Sequence, residues 1–197
     1  GKGTICKELI KSDDYWLSVS ATTRAPRPGE VNGRDYYFVS QERFDEMIEQ
    51  GELLEYVRKF QKSYGTPKAP MLEHINAGQN VILEIETEGA LNVKRAYPEA
   101  VLIFVLPPSV EVLHNRLLNR RSESEEQILI RTLEIKKELE QFVKYDYYVV
   151  NDEIAQAVAD AKAIAGGRGE AFRITEEKSG LILERIEEEY NALISRS

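Results

Sequence analysis

Apolar and polar positions along the chain fall into two alternating patterns. Continuous apolar runs, VILEIE (81–86) and VLIFVLPP (101–108), read as strands buried on both faces of a parallel sheet, and a helical spacing follows each of them. WLSVS (16–20), DYYFVS (35–40), GELLEYVRKF (51–60) and YDYYVVN (145–151) read as further strands. Helical spacing covers about 4–12, 41–50, 109–121, 122–142 and 153–164. Ser109 is placed to cap the third of these, and Ser124 with Gln127 forms a capping box at the start of the fourth. Strands followed by helices predict an α/β fold with a parallel sheet. Two stretches interrupt the pattern. ATTRAPRPGEVNGR (21–34) is too rich in Pro and Gly to predict regular structure, and AGGRGE (165–170) breaks the chain before LILERIEEEYNALI (181–194), which is spaced as an amphipathic helix lying on a core.

The totals narrow the class. A chain of 197 residues suits one compact domain, or one domain carrying mobile sub-parts. Its 42% hydrophobic and 30% charged residues are those of an ordinary globular protein. No apolar run approaches the roughly 20 residues of a membrane span, and no leader pattern precedes the first helix, so the expectation is a cytoplasmic protein with no membrane partner. Cys6 is the single cysteine; it excludes an internal disulfide and a multi-cysteine metal site, and is expected as a small apolar residue of the first helix. His74 and His114 stand forty residues apart and are expected on helix surfaces. A net charge of −8 argues against nucleic acid as a partner, which needs a basic face. An anionic ligand must then be held by local clusters, and two exist: Arg24, Arg27 and Arg34, and Arg116, Arg120, Arg121 and Arg131.

Three stretches carry candidate chemistry. Gly1-Lys2-Gly3-Thr4, directly before a helix, has the form of the second half of a phosphate-binding loop; a solvated chain start has the same composition. SATTRAPRPGE (20–30) sets Arg24 and Arg27 three apart in a proline-restricted loop, where paired guanidinium groups can clamp a phosphate or simply face water. Tyr36, Glu55, Tyr64 and Thr66 lie at strand ends or loops from which side chains can converge on one small ligand.

Taken in order, GKGT, SVSATTRAPRPGEVNGRDYYFVS, LLEY, SYGTP, VILEIETEGALNVK, FVLPPS, NRRSESEE and YDYYVVND closely resemble guanylate kinases, collinearly from Gly1 to about Ile164. The resemblance implies a P-loop NTPase-type parallel sheet flanked by helices. It implies a core made of 1–18, 70–111 and 143–197, a mixed α/β GMP-binding insert at 19–69 and a helical lid at 112–142. It also implies that a first strand and the upstream half of the phosphate loop precede Gly1 in the full-length protein. The activity implied is ATP-dependent phosphorylation of GMP or dGMP to GDP or dGDP in purine nucleotide metabolism, with Mg²⁺ carried on ATP.

Carried over residue by residue, the resemblance places Gly1, Lys2, Gly3 and Thr4 at the donor phosphates. Lys2 and the lid residues Arg120 and Arg131 are the catalytic candidates, and Arg116 is a third cation for ATP; salt bridges along a charged helix pair are the structural alternative for the arginines. Ser20, Arg24, Arg27, Tyr36 and Tyr64 match the positions that hold the GMP phosphate. Glu55, assisted by Thr66, matches the carboxylate that reads guanine, whose N1–H and N2–H₂ donors lie side by side. Glu86 is grouped with the GMP-binding residues, and its carboxylate is open to two readings, orienting Lys2 or a metal through water, or capping the next helix.

The chain departs from the family pattern at several points. Gly3 stands where the general loop has a Ser or Thr that reaches Mg²⁺, leaving Thr4 as the neighbouring hydroxyl. Glu84 and Glu86 replace a shorter acid pair, Lys62 and Ser63 precede Tyr64 where Gly-Asn is usual, and Arg121 replaces a lid glycine. A related class of catalytically inactive guanylate-kinase-like modules binds protein ligands in the same cleft; retention of Lys2, Arg120 and Arg131 favours the enzyme. The expected state is a monomer or a homodimer.

Overall fold

The computed structural model describes residues 1–59, 61–118 and 139–195, which divide into two compact units, Lys2–Ala100 and Val101–Ser197 together with Gly1. The candidate lid residues Arg120, Arg121 and Arg131, and the Ser124–Gln127 capping box, lie outside the described residues.

The first unit contains α1 (Lys2–Leu9), β1 (Tyr15–Leu17), β2 (Ala21–Thr22), β3 (Tyr37–Phe38), α2 (Gln41–Glu49), β4 (Leu53–Lys59), β5 (Lys62–Pro67), α3 (Lys68–Asn76), β6 (Asn80–Ile82) and α4 (Thr87–Ala96). β1 and β6 run parallel, with Tyr15 opposite Asn80 and Leu17 opposite Ile82. The other strands form a mixed sheet in the order β3-β2-β5-β4. Its hairpin, β4 to β5, turns through Gln61 at φ 58°, a left-handed conformation that few side chains adopt. Helix α2 starts where the Ser40 hydroxyl accepts the Arg43 N–H, and it buries Phe44 and Met47 against Ala21 and Leu53 on one face of that sheet.

Several elements differ from the sequence pattern, each for a local reason. α1 begins at Lys2 and stops at Leu9, earlier at both ends than 4–12, because its buried stripe is Ile5, Cys6 and Leu9 and the Ser12 hydroxyl then bonds the Asp14 carboxylate in a turn. Residues 21–34 are not all irregular: Ala21–Thr22 is a strand, fully buried between β3 and β5. Residues 62–67 form a strand rather than a loop. KSYGTP lacks an apolar alternation, but pairing with β2 on one side and β4 on the other satisfies its backbone. The VILEIE strand ends at Ile82, so Glu84 and Glu86 lie on the connection into α4 and are exposed. α3 has little apolar signal because only Met71 is buried. His74, expected on an open helix surface, stacks on Trp16 with ring centroids 3.9 Å apart.

The second unit contains β7 (Ile103–Leu106), α5 (Val110–Leu118), a short 3₁₀ turn (Phe142–Lys144), β8 (Tyr147–Val150), α6 (Ile154–Ala165) and α7 (Glu176–Ile194). β7 and β8 pair in parallel from Ile103–Tyr147 to Leu106–Val150. The Ser109 hydroxyl accepts the Val112 N–H and so caps α5, as its sequence predicts. The tail helix is longer than 181–194 because Thr175 caps it upstream, its hydroxyl accepting the Lys178 N–H. Ile186 on that helix packs into a core with Leu106, Val110, Leu139 and Phe142. Among the described residues no helix is long and apolar enough to cross a membrane.

Candidate functional site

The mixed sheet of the first unit sorts its side chains by strand period. Gly65 and Leu53 face α2, where a side chain at 65 would meet Leu53 and Phe44, so Tyr64 and Thr66 on β5 point to the opposite face. Val57 on β4 stands opposite Tyr64, and a register irregularity between Leu53 and Tyr56 lets Glu55 leave the face of Leu53 and join that of Thr66, whose hydroxyl its carboxylate accepts. Five of the residues singled out in the sequence belong to this face or its rim: Arg24, Tyr36, Tyr64, Thr66 and Glu55.

Arg24 is held rigidly. Its Nη1 and Nη2 donate to Glu30 Oε2 and Oε1 at 2.9 and 2.8 Å, and Nη1 also donates to the Ala25 carbonyl at 2.7 Å. Its guanidinium carbon lies 5.3 Å from the Tyr36 ring centre and 5.7 Å from that of Phe38. The backbone supports this placement, since the Arg24 N–H donates to the buried Thr22 hydroxyl and Thr22 in turn donates to the Ser63 carbonyl. Tyr36 and Tyr64 meet edge to face, 6.3 Å between centroids. Burial raises the Tyr36 hydroxyl pKa above the ordinary tyrosine value, with the nearby Glu84 carboxylate adding to the rise and Arg24 opposing it, so the phenol remains a neutral hydrogen-bond donor. Arg27 is exposed, with its N–H bonded to Glu30 Oε2 at 2.6 Å and its guanidinium free of ion pairs among the described residues. Arg34, grouped with these two by sequence, instead pairs with Asp35 at 2.9 Å. Ser20 adjoins the cluster through its carbonyl, which accepts the Tyr37 N–H.

The second cluster is a buried carboxylate. Glu55 is 7% exposed and its Oε1 accepts the hydroxyl of Thr66, itself fully buried, at 2.7 Å. Desolvation raises the Glu55 pKa above the usual carboxylate value although bonds from the Thr66 hydroxyl and N–H pull it down. An ionised carboxylate offers about four lone-pair sites, so bonds from Thr66 leave acceptors for a ligand with paired N–H donors. Helix α4 makes room for it. A Cβ built on Gly89 would stand 2.6 Å from Glu55 Oε2 and 3.2 Å from Cδ, so only glycine allows this approach.

At the start of α1, Lys2 Nζ donates to the Ile85 carbonyl at 3.2 Å, between Glu84 and Glu86. A side chain at position 3 would come within 3.1 Å of Glu84 Oε1, so Gly3 leaves room for this carboxylate; Thr4 is exposed on the helix. Glu86 occupies the N-cap position of α4 without a side-chain cap bond, and its carboxylate pairs with Lys59 at 3.0 Å. In the second unit Arg116 donates to the Asn151 carbonyl at 3.0 Å.

A buried carboxylate bonded by Thr66, beside an arginine–tyrosine cluster on the same sheet, is an arrangement able to hold a ligand that carries both N–H donors and an anionic group. A model of the guanylate kinase family matches residues 1–165. The chain belongs to the guanylate kinase family. It is 43% identical over 185 residues to the guanylate kinase of Clostridium tetani, covering 94% of this chain and 88% of that one. Identity to the Clostridioides difficile guanylate kinase is 46% over 190 residues, with 96% and 91% covered. Identity to the Desulfitobacterium hafniense enzyme is 51% over 165 residues, with 83% and 82% covered. Among solved structures, the guanylate kinase of Anaplasma phagocytophilum superimposes with a TM-score of 0.71 at 28% identity, over 90% of this chain and 88% of that one. The α/β, P-loop NTPase-type architecture and the class, nucleoside monophosphate kinase, follow from this membership.

Three residues that shape the two clusters in this guanylate kinase family member escape the sequence reading: Glu30 and Phe38, which hold Arg24, and Gly89, which clears space for Glu55. Gly89 left a signal, since an isolated glycine in a helical pattern costs about 1 kcal/mol relative to alanine and asks for a packing reason. Glu30 left a weaker one, a lone acid in a basic loop. Phe38 left none, because an aromatic in a strand is ordinarily core.

Proposed function

We propose that this protein transfers the γ-phosphoryl group of ATP to GMP or dGMP, with the mixed sheet of the first unit as the acceptor site. The observation that carries this reading is the Glu55–Thr66 pair, a desolvated carboxylate already hydrogen-bonded and set against Gly89. Guanine presents N1–H and N2–H₂ side by side, which an ionised carboxylate accepts together, whereas adenine presents an acceptor at N1. Pairing adenine there would leave a buried charge without its donors, a mismatch that sites of this kind reject strongly.

In this reading Arg24, Arg27, Tyr36, Tyr64 and Ser20 hold the acceptor phosphate, with guanidinium forks and hydroxyl groups supplying the donors. Lys2 takes the donor phosphates at the N-terminus of α1, together with Gly1, Gly3 and Thr4. The acceptor is itself a phosphate oxygen, ionised near neutral pH, so positioning and electrostatic stabilisation suffice without a protein nucleophile. Mg²⁺ enters bound to the nucleotide. The oxygen donors near Lys2 suit such a hard cation, namely the Glu84 carboxylate beside Gly3 and the Thr4 hydroxyl, and the ion's role would be to neutralise charge on the phosphates.

A coupled ADP-release assay with ATP and Mg²⁺ tests the proposal. GMP-dependent turnover with AMP slower by at least about 10³-fold in kcat/KM is expected; comparable rates with the two acceptors, or no turnover with GMP, would overturn it.

A further inference from the structure

Glu30 is tied more closely to Arg24 than a surface ion pair needs. Both of its oxygens are engaged by the two terminal nitrogens of one guanidinium, and Oε2 additionally accepts the Arg27 N–H at 2.6 Å. Side-chain exposures of 15% for Arg24 and 19% for Glu30 place the pair well inside the loop rather than in solvent.

The fork geometry gives this pairing a consequence. A planar guanidinium has an end-on edge, formed by Nη1 and Nη2, and a side-on edge, formed by Nε and the second Nη2 proton. Glu30 occupies the end-on edge and the Ala25 carbonyl takes the other Nη1 proton. Among the described residues the side-on edge has no partner. Tyr36 and Phe38 fix the plane in which that edge lies.

We propose that Glu30 is a positioning residue for acceptor binding: by holding the end-on edge of Arg24 it presents the side-on edge, Nε–H with Nη2–H, to the phosphate of the acceptor nucleotide. The proposal rests on the GMP-site reading above. Two carboxylate bonds and two aromatic faces remove the rotamer freedom that a long side chain would otherwise lose on binding. Glu30 therefore assists an anion despite being an anion itself, because it neutralises only the edge that the phosphate does not use.

The test compares GMP with guanosine, which shares the base and lacks the phosphate. Isothermal titration of the protein with each ligand is run on wild type, Glu30→Gln, Arg24→Ala and the double variant. Glutamine keeps one acceptor and loses the charged bidentate grip, so GMP affinity is expected to fall roughly tenfold. Guanosine affinity is expected to stay within about twofold, which also shows that the variant is folded. In the Arg24→Ala background the same substitution is expected to change GMP affinity by less than about twofold, because Glu30 acts through Arg24. Tighter GMP binding by Glu30→Gln would make Glu30 a competitor of the phosphate and overturn the proposal. Equal weakening of GMP and guanosine, or a tenfold effect that persists without Arg24, would overturn it as well. A wild-type protein that binds guanosine as tightly as GMP would overturn the acceptor-site reading itself.

Discussion

Replacing Gly89 by alanine adds one methyl group against the buried carboxylate. The new Cβ would lie 2.6 Å from Glu55 Oε2, about 0.4 Å inside the 3.0 Å closest approach that Cβ atoms keep, with Cδ also tight at 3.2 Å. The carboxylate must retreat. Helix propensity favours the alanine by about 1 kcal/mol. If Glu55 is forced away from Thr66, overpacking of about 1–3 kcal/mol and loss of a charged hydrogen bond of about 1.5–3 kcal/mol oppose that gain. If the carboxylate swings to a new place instead, stability changes little. Both routes misplace the group proposed to face the guanine donors, at about 1.5–3 kcal/mol per charged bond, or roughly 10- to 150-fold in affinity for each bond lost. Binding rather than melting is therefore the informative measurement. Titration with GMP and with IMP, which lacks the N2 amino group, should show weaker GMP binding and a GMP-to-IMP ratio falling towards one. A Gly89→Ala protein with wild-type GMP affinity, an unchanged ratio and a melting temperature raised by the better helix former would refute the assigned packing of Glu55 on α4.

Three further outcomes follow from the same structure. Because burial holds the Glu55 pKa above the ordinary 4.5, the folded protein keeps this proton to higher pH than the unfolded chain; stability contributed by Glu55 falls as pH rises from the unfolded value through the raised one, while guanine binding needs the ionised form. GMP affinity measured by titration should thus drop as pH is lowered through that raised pKa, and a Thr66→Val variant, which removes the hydroxyl favouring the charged form, should move the drop to higher pH. Cys6 is buried in α1, and burial with the nearby Glu84 carboxylate pushes its thiol up to about 12, so thiol reagents at pH 8 should label it only after denaturant is added. Ile186→Ala in the tail helix should lower stability by about 2–4 kcal/mol in urea unfolding, because it opens the Leu106, Val110, Leu139 and Phe142 core.

What could be read in the sequence depended on whether a signal was local. The Ser109 cap, the apolar runs at 101–108 and 145–151 that contain β7 and β8, and the helix predicted at 153–164 and found at Ile154–Ala165 carry local signals, and the structure places these elements there. β2 and β5 were not legible because two- and six-residue polar strands take their conformation from partners distant in sequence: Ala21 faces Gly65 and Tyr37, and Thr22 faces Tyr64 and Phe38. The same limit governed the site. Arg24, Tyr36, Glu55, Tyr64 and Thr66 stand out by residue type and by their place at strand ends and loops, and only the family resemblance gives them roles; the structure brings Arg24, Tyr36 and Tyr64 into one cluster and Glu55 with Thr66 into another. That Glu30 grips one edge of Arg24, or that Gly89 clears space for a carboxylate thirty-four positions earlier, depends on side-chain geometry that no spacing rule encodes.

The central claim, that a single buried carboxylate reads the acceptor base, is tested most directly by acceptor selectivity in wild type and Glu55→Gln. Glutamine keeps the shape and a carbonyl acceptor for Thr66 but replaces one acceptor by a donor. In the coupled assay, the GMP-to-AMP ratio of kcat/KM should fall by at least about 10²-fold in the variant, with most of the change in the GMP term. The Glu55→Gln protein should also melt at a higher temperature at neutral pH, since it no longer buries a charge. A variant that keeps wild-type selectivity would contradict the assignment of guanine recognition to Glu55.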